Sequence, residues 1–144
     1  MFLKTIKLSE LAFACYLYAR FTDYDSSYLR FLKETHGRPD LNVSEHRSAL
    51  LEWLNKWGCR QFAKEAHDFA SSEILSWFNE FKSILFSTHK NLLELTEDDY
   101  KNIYNAYKSL SNKKASNKIK CNKKNLDSVG PTGAAKILFA IRPK

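Results

Sequence analysis

Apolar side chains recur at every third or fourth position through most of the first 110 residues, a spacing that brings them onto one face only in an α-helix. The alternation of β-branched and polar residues expected of half-buried strands is missing throughout. At 144 residues the chain is long enough for one hydrophobic core. The sequence therefore predicts an all-α fold, a single compact bundle-like domain of five or six helices.

The bounds of the helices follow from capping residues, glycines and prolines. Ser9, Ser44 and Thr96 can each accept a first-turn N–H, and Gly58 suits the position after a helix end. The predicted helices cover residues 9–21, a short stretch between the cap at 25–27 and the stop at 36–39, then 44–57, about 62–86 with 71–72 as a candidate break, and 96–110.

Two tryptophans lie one helical turn apart in the third predicted helix. Trp53 and Trp57 share a face with Leu50 and Leu54. Such a face could stack nucleic-acid bases, but aromatic and aliphatic side chains at this spacing are more often buried. We therefore predict that both tryptophans belong to the core.

Positive charge is concentrated in the last third of the chain. Residues 1–100 hold 12 lysines and arginines against 15 acids, a net −3, whereas 101–144 hold 11 against Asp127 alone, a net +10. We therefore divide the chain into a helical domain at 1–110, a lysine-rich arm at 111–125 and a C-terminal turn and helix at 126–144 that pack on the same domain.

The arm resists packing because its lysines are mixed with serine and asparagine. It is either a solvated linker or a segment that attracts phosphate, and the sequence leaves both interpretations open. The candidate phosphate-binding residues are Lys113, Lys114, Lys118, Lys120, Lys123 and Lys124.

A glycine-rich turn follows the arm. Gly130 permits a tight turn, Pro131 suits a first helical position, and the N–H groups of Thr132 and Gly133 are expected to point outward, with Lys136 one turn further on. The stretch 126–138 resembles a helix-hairpin-helix motif, in which a Gly-apolar-Gly turn precedes an alanine-bearing helix. The resemblance implies that Gly130, Thr132, Gly133 and Lys136 grip a DNA backbone without reading its sequence.

The same turn also fits a helix that simply begins at Gly130 and continues into the apolar run at 137–141, so packing and phosphate binding both remain open. Helix-hairpin-helix glycosylases carry a catalytic lysine near this turn, where the present chain has Thr132. Residues 53–60 together with the Gly130 segment are similar to small uncharacterised bacterial helical proteins, a resemblance that implies no activity.

Other kinds of site find no support in the spacing of the relevant residues. Cys15, Cys59 and Cys121 form no metal-binding or disulfide pattern and are predicted to be free thiols. The four histidines are far apart, so we predict no catalytic residues, metal or cofactor. No apolar run approaches the roughly 20 residues of a membrane span, and no signal-peptide pattern is evident, so we expect a cytoplasmic protein without a membrane partner.

The leading hypothesis is non-enzymatic, sequence-independent binding of nucleic acid, with the DNA backbone as the expected partner. The alternative is a helical protein–protein interaction module whose basic segment is a solvated arm.

Overall fold

The computed structural model describes residues 7–21, 24–86, 90, 94–117 and 127–142. Within these ranges it contains six α-helices and no β-strand, which confirms the predicted all-α fold. A short 3-10 helix, Lys64–Ala66, directly precedes the fourth α-helix. The helices are α1 (Leu8–Phe21), α2 (Tyr24–Glu34), α3 (Ser44–Lys56), α4 (His67–Phe86), α5 (Glu97–Asn112) and α6 (Gly130–Ile141).

The core lies where α3 meets α2, α4 and α6, while α5 packs against both α4 and α6. Leu50, Leu54, Trp77, Leu110 and Ile137 are fully buried there. Trp53 is buried as well, and Trp57 packs against the core from a half-buried position, which confirms the prediction that both belong to it. Burying such side chains contributes roughly 1.5–3 kcal/mol each.

The start of α5 follows the predicted capping. Thr96 Oγ1 accepts the backbone N–H of Asp99, while Asp99 Oδ2 accepts the backbone N–H of Thr96. This reciprocal pair is a capping box, and it satisfies two N–H groups that the helix itself leaves free.

The start of α3 differs from the prediction that Ser44 caps it. Ser44 is already the first helical residue, and Val43 holds the capping position without any side-chain bond. The Ser44 hydroxyl instead donates to Glu45 Oε2 at 2.9 Å. The helix ends as expected, with Gly58 at a positive φ of 76° and the Cys59 N–H bound to the carbonyl of Leu54 at 3.0 Å.

The fourth helix was predicted to begin at Phe62, and this was wrong. The N–H of Phe62 donates to the carbonyl of Cys59 in a turn, and Ala63 has a ψ of 140°, outside the helical range, so the helix cannot pass through these residues. Ser72 causes no break, because its hydroxyl bonds to carbonyls of the preceding turn while α4 continues. Near the end of the helix Ile84 is 37% exposed, although its spacing places it with the apolar residues of α4.

The second helix also begins earlier than its predicted cap, at Tyr24. It ends at Glu34, just before the predicted stop at 36–39, where Gly37 with its positive φ of 67° donates its N–H to the carbonyl of Leu32 at 2.7 Å. Arg47 then holds the connection to α3 in place: its guanidinium donates to the carbonyl oxygens of Leu41 and Asn42.

The first helix contrasts with the others. All of its described side chains are exposed, and it packs extensively against no other described helix. None of the described helices combines the length and the apolar character needed to cross a membrane.

Candidate nucleic-acid interface

The described residues on the two sides of the lysine-rich segment, 113–115 and 127–129, are in direct contact. The N–H of Ala115 donates to the carbonyl of Asp127, and the N–H of Val129 donates to the carbonyl of Lys113, both at 2.8 Å. These bonds form an isolated antiparallel bridge between Lys114 and Ser128. The bridge therefore places the end of α5 directly beside the start of α6.

The described beginning of this segment is not a free arm. Ser111 and Asn112 belong to α5, so that helix extends past the predicted end at Leu110. Ala115 and Ser116 are buried. The prediction that this segment resists packing is therefore wrong at residues 115–116, which the bridge to 127–129 holds against the fold, whereas Asn112 and Lys114 stay exposed.

Two of the six candidate lysines lie in the described residues. Lys114 is exposed, and Lys113 is half-buried with its Nζ 3.4 Å from the Ser76 hydroxyl on α4. Both flank the C-terminal end of α5, where positive charge complements the helix dipole. The other four, Lys118, Lys120, Lys123 and Lys124, lie outside the described residues.

The start of α6 has the predicted turn geometry. Gly130 has a positive φ of 70°, a conformation that side chains with a Cβ rarely adopt, and Pro131 occupies the first turn of the helix. Pro131 and Thr132 are exposed. The first-turn N–H groups of a helix have no acceptor within it, so Gly130 and Thr132 present donors at the positive end of the dipole. Asp127–Val129, immediately before the turn, are not helical.

Gly133 was expected to present its N–H outward, but the structure buries it. A Cβ added there would lie 3.0 Å from Gln61 Nε2, 3.2 Å from Val129 Cγ1 and 3.3 Å from Phe62 Cε2. Gln61 Nε2 also donates to the carbonyl of Val129 at 2.7 Å. A side chain at this position must displace Gln61 or press on Val129 and Phe62, because the loop after α3 packs directly against the first turn of α6.

Lys136 was expected to add its charge to a phosphate, but its ammonium group has partners within the fold. Its Nζ donates to the carbonyl of Trp57 at 3.0 Å and lies 4.8 Å from the centre of the Trp57 ring. It is also 3.6 Å from the Sγ of Cys59, which is buried. Lys136 therefore neutralises the C-terminal end of α3, where the last carbonyl groups lack helical partners.

A shallow depression of about 270 Å³ lies between these two helix ends. Trp57, Cys59 and Gln61 line it from the α3 side, and Gly130 and Thr132 line it from the α6 side. Sequence reasoning treated the two segments as separate features. The two segments were associated only by the resemblance to small bacterial helical proteins, which covers residues 53–60 and the Gly130 segment. That resemblance gave no physical reason for the two segments to be in contact.

Another cleft, of about 480 Å³, runs between α2 and α3. Arg30, Lys56 and Lys64 line it together with Glu34 and Glu52, so opposite charges face the same space. A phosphate backbone would meet repulsion as well as attraction there, which makes this cleft a poorer nucleic-acid interface than the surface beside Lys114 and Thr132.

The histidines take part in local contacts. His46 Nδ1 accepts the N–H of Asp40 at 3.0 Å, and His67 Nε2 lies 2.9 Å from Asn55 Nδ2. In the described ranges no group of three or more histidine, cysteine, aspartate or glutamate side chains is arranged to hold a metal ion. His89 and Cys121 lie outside those ranges.

No family model matches the chain, and neither a curated protein nor a solved structure shows significant similarity to it.

Proposed function

We propose that this protein binds nucleic acid without sequence preference, through phosphate contacts made by the lysine-rich segment and the first turn of α6. The observation that carries the proposal is the bridge between Lys114 and Ser128. It connects the segment with the highest positive charge to the first turn of α6, where Pro131 and Thr132 are exposed.

The helix start and the lysines contribute in different ways. The backbone N–H groups of Gly130 and Thr132 can bond to one phosphate, supported by the positive end of the α6 dipole. The lysines from 113 to 124 supply charge that releases counterions from neighbouring phosphates. Lys136 and Gly133 are assigned to the fold rather than to the ligand, because their neighbours are Trp57 and Gln61.

The test is fluorescence anisotropy with labelled single- and double-stranded DNA and RNA, at about 50 and 200 mM salt. If about six phosphates are neutralised, affinity should fall about a thousandfold between the two salt concentrations. The decisive variant changes all six lysines to glutamine, and it should abolish binding while the helical circular dichroism signal stays. Its lysines are Lys113, Lys114, Lys118, Lys120, Lys123 and Lys124.

A matched control changes six lysines elsewhere to glutamine and so lowers the net charge by the same amount. This control should keep most of its affinity for nucleic acid if the location of the lysines matters. An equal loss of affinity in both variants would show that only net charge matters, and it would contradict the proposed interface. The control lysines are Lys33, Lys56, Lys64, Lys82, Lys101 and Lys108.

The exposed side chains of α1 favour a second candidate, the helical protein–protein interaction module. In that function the lysines keep the protein soluble and bind nothing. Absence of nucleic-acid binding at about 50 mM salt, where phosphate attraction is strong, would favour the second candidate over the first.

A further inference from the structure

Helix α1 leaves more apolar surface in water than a packed helix would. On the face that includes Phe13 and Leu17 these side chains are 62% and 36% exposed, and Leu8 and Phe21 elsewhere on the helix are 81% and 83% exposed. Isolated apolar residues on a surface are ordinary, but so many within 14 residues indicate an interaction surface. The structure describes no other helix of this chain that covers them.

One face of α1 has a self-complementary pattern. Glu10, Phe13, Leu17 and Arg20 are separated by three, four and three residues, the spacing of a coiled-coil seam. The acidic Glu10 is at one end of this set and the basic Arg20 is at the other, with the apolar Phe13 and Leu17 between them. The pattern is symmetric about the level of Cys15, since each member lies as far before that residue as its counterpart lies after it.

We propose that two copies of this protein associate through antiparallel pairing of their α1 helices. A twofold axis level with Cys15 would place Phe13 against Leu17 of the second copy, and Glu10 against Arg20 of the second copy. Such an interface uses the same surface on both subunits, the commonest arrangement in protein dimers. This inference names the partner for the interaction module and does not depend on nucleic-acid binding.

The charges of Glu10 and Arg20 favour this face of α1 as the contact surface, and they favour antiparallel over parallel pairing. Parallel pairing of this face would set Glu10 against Glu10 and Arg20 against Arg20, two repulsive contacts. The opposite face, with Leu8, Leu11 and Tyr18, carries no charged residue, so it has no charge pair that would set the direction of a partner. Within the described residues neither seam charge forms a salt bridge: Glu10 accepts the backbone N–H of Lys7, and Arg20 lies over the ring of Tyr16 and donates to its hydroxyl.

The experiment is sedimentation equilibrium of the full chain without nucleic acid, at about 1 and 100 µM, which brackets a dissociation constant of about 10 µM. At the higher concentration the mass should approach twice the 16.8 kDa of the chain. Glu10→Arg and Arg20→Glu should each give a monomer, because each sets like charges together twice per dimer. The double variant should restore the dimer, since its pairs are again opposite.

Lys33→Glu on α2 is the control, because it makes the same charge change as Arg20→Glu on a helix outside the seam, and it should leave the dimer intact. A monomer at the higher concentration would overturn the proposal, as would a double variant that fails to recover the dimer. Unchanged helical circular dichroism in every variant separates loss of pairing from loss of folding. The six-lysine variant should still dimerise, so failure of either proposal leaves the other intact.

Discussion

The ammonium group of Lys136 on α6 lies 3.0 Å from the carbonyl oxygen of Trp57 at the end of α3, although 79 residues separate them. The same nitrogen lies over the Trp57 ring, so one side chain makes a hydrogen bond and a cation–π contact. This contact joins the end of α3 to the first turns of α6. The phosphate-binding surface proposed above therefore rests on a structural lysine that does not itself need to bind phosphate.

Replacing Lys136 should lower stability more than it lowers affinity for nucleic acid. Lys136→Met should cost about 1–2 kcal/mol of the free energy of unfolding, because the Trp57 carbonyl loses a charged donor. Lys108→Met, at an exposed position on α5, should cost less than about 0.5 kcal/mol. Urea denaturation measures both. Equal effects of the two substitutions would contradict the role given to Lys136.

The first turn of α6 can be tested by adding a negative charge. Thr132→Glu should weaken nucleic-acid binding several-fold, since its carboxylate competes with phosphate for the first-turn N–H groups. The same carboxylate complements the helix dipole, so unfolding should be no easier than for Thr132→Gln, the neutral control. Anisotropy titration and thermal unfolding report the two effects separately. Unchanged affinity in Thr132→Glu would exclude α6 from the interface. The lysines would then be the remaining candidates for phosphate contacts.

Adding a side chain at Gly133 should lower the free energy of unfolding. Gly133→Ala should cost about 1–3 kcal/mol, because the added methyl group displaces the Gln61 amide and presses on the buried side chains of Val129 and Phe62. Introducing it into a Gln61→Ala background should cost less, since the 3.0 Å contact is then gone. Urea denaturation of the single and double variants gives the coupling; strict additivity would show that Gln61 is not the group displaced.

The capping box of α5 should make the stability of the protein depend on pH in the acidic range. Hydrogen bonding to Lys90, at 2.8 Å, and to Thr96 holds the pKa of Asp99 well below its ordinary value. The ionised carboxylate therefore stabilises the fold above pH of about 4, and this stabilisation is lost as pH falls further toward the folded pKa. Asp99→Asn should lower the melting temperature at pH 6 and make less difference at pH 2. The same difference in melting temperature between Asp99→Asn and the unchanged protein at both pH values would contradict the assignment.

Much of the secondary structure was predictable because its causes lie within a few residues. The capping of α5 needs only Thr96 and Asp99, and the end of α3 needs only Gly58. The prediction was wrong at Phe62, where the apolar spacing continued but the backbone turned. Spacing shows that a side chain is buried; it does not distinguish a helix from a loop that packs against one.

For the candidate interface, the sequence predicted which residues are present but not how they are arranged in space. Sequence alone determined the concentration of lysines, the helical class of the fold and the tight turn at Gly130, because charge, periodicity and backbone freedom are properties of local stretches. The tertiary structure decided that Lys114 meets Ser128, that Lys136 turns inward to Trp57 and that α1 stays exposed. These relationships join residues distant along the chain, or depend on which surfaces remain after packing, and no local pattern specifies them.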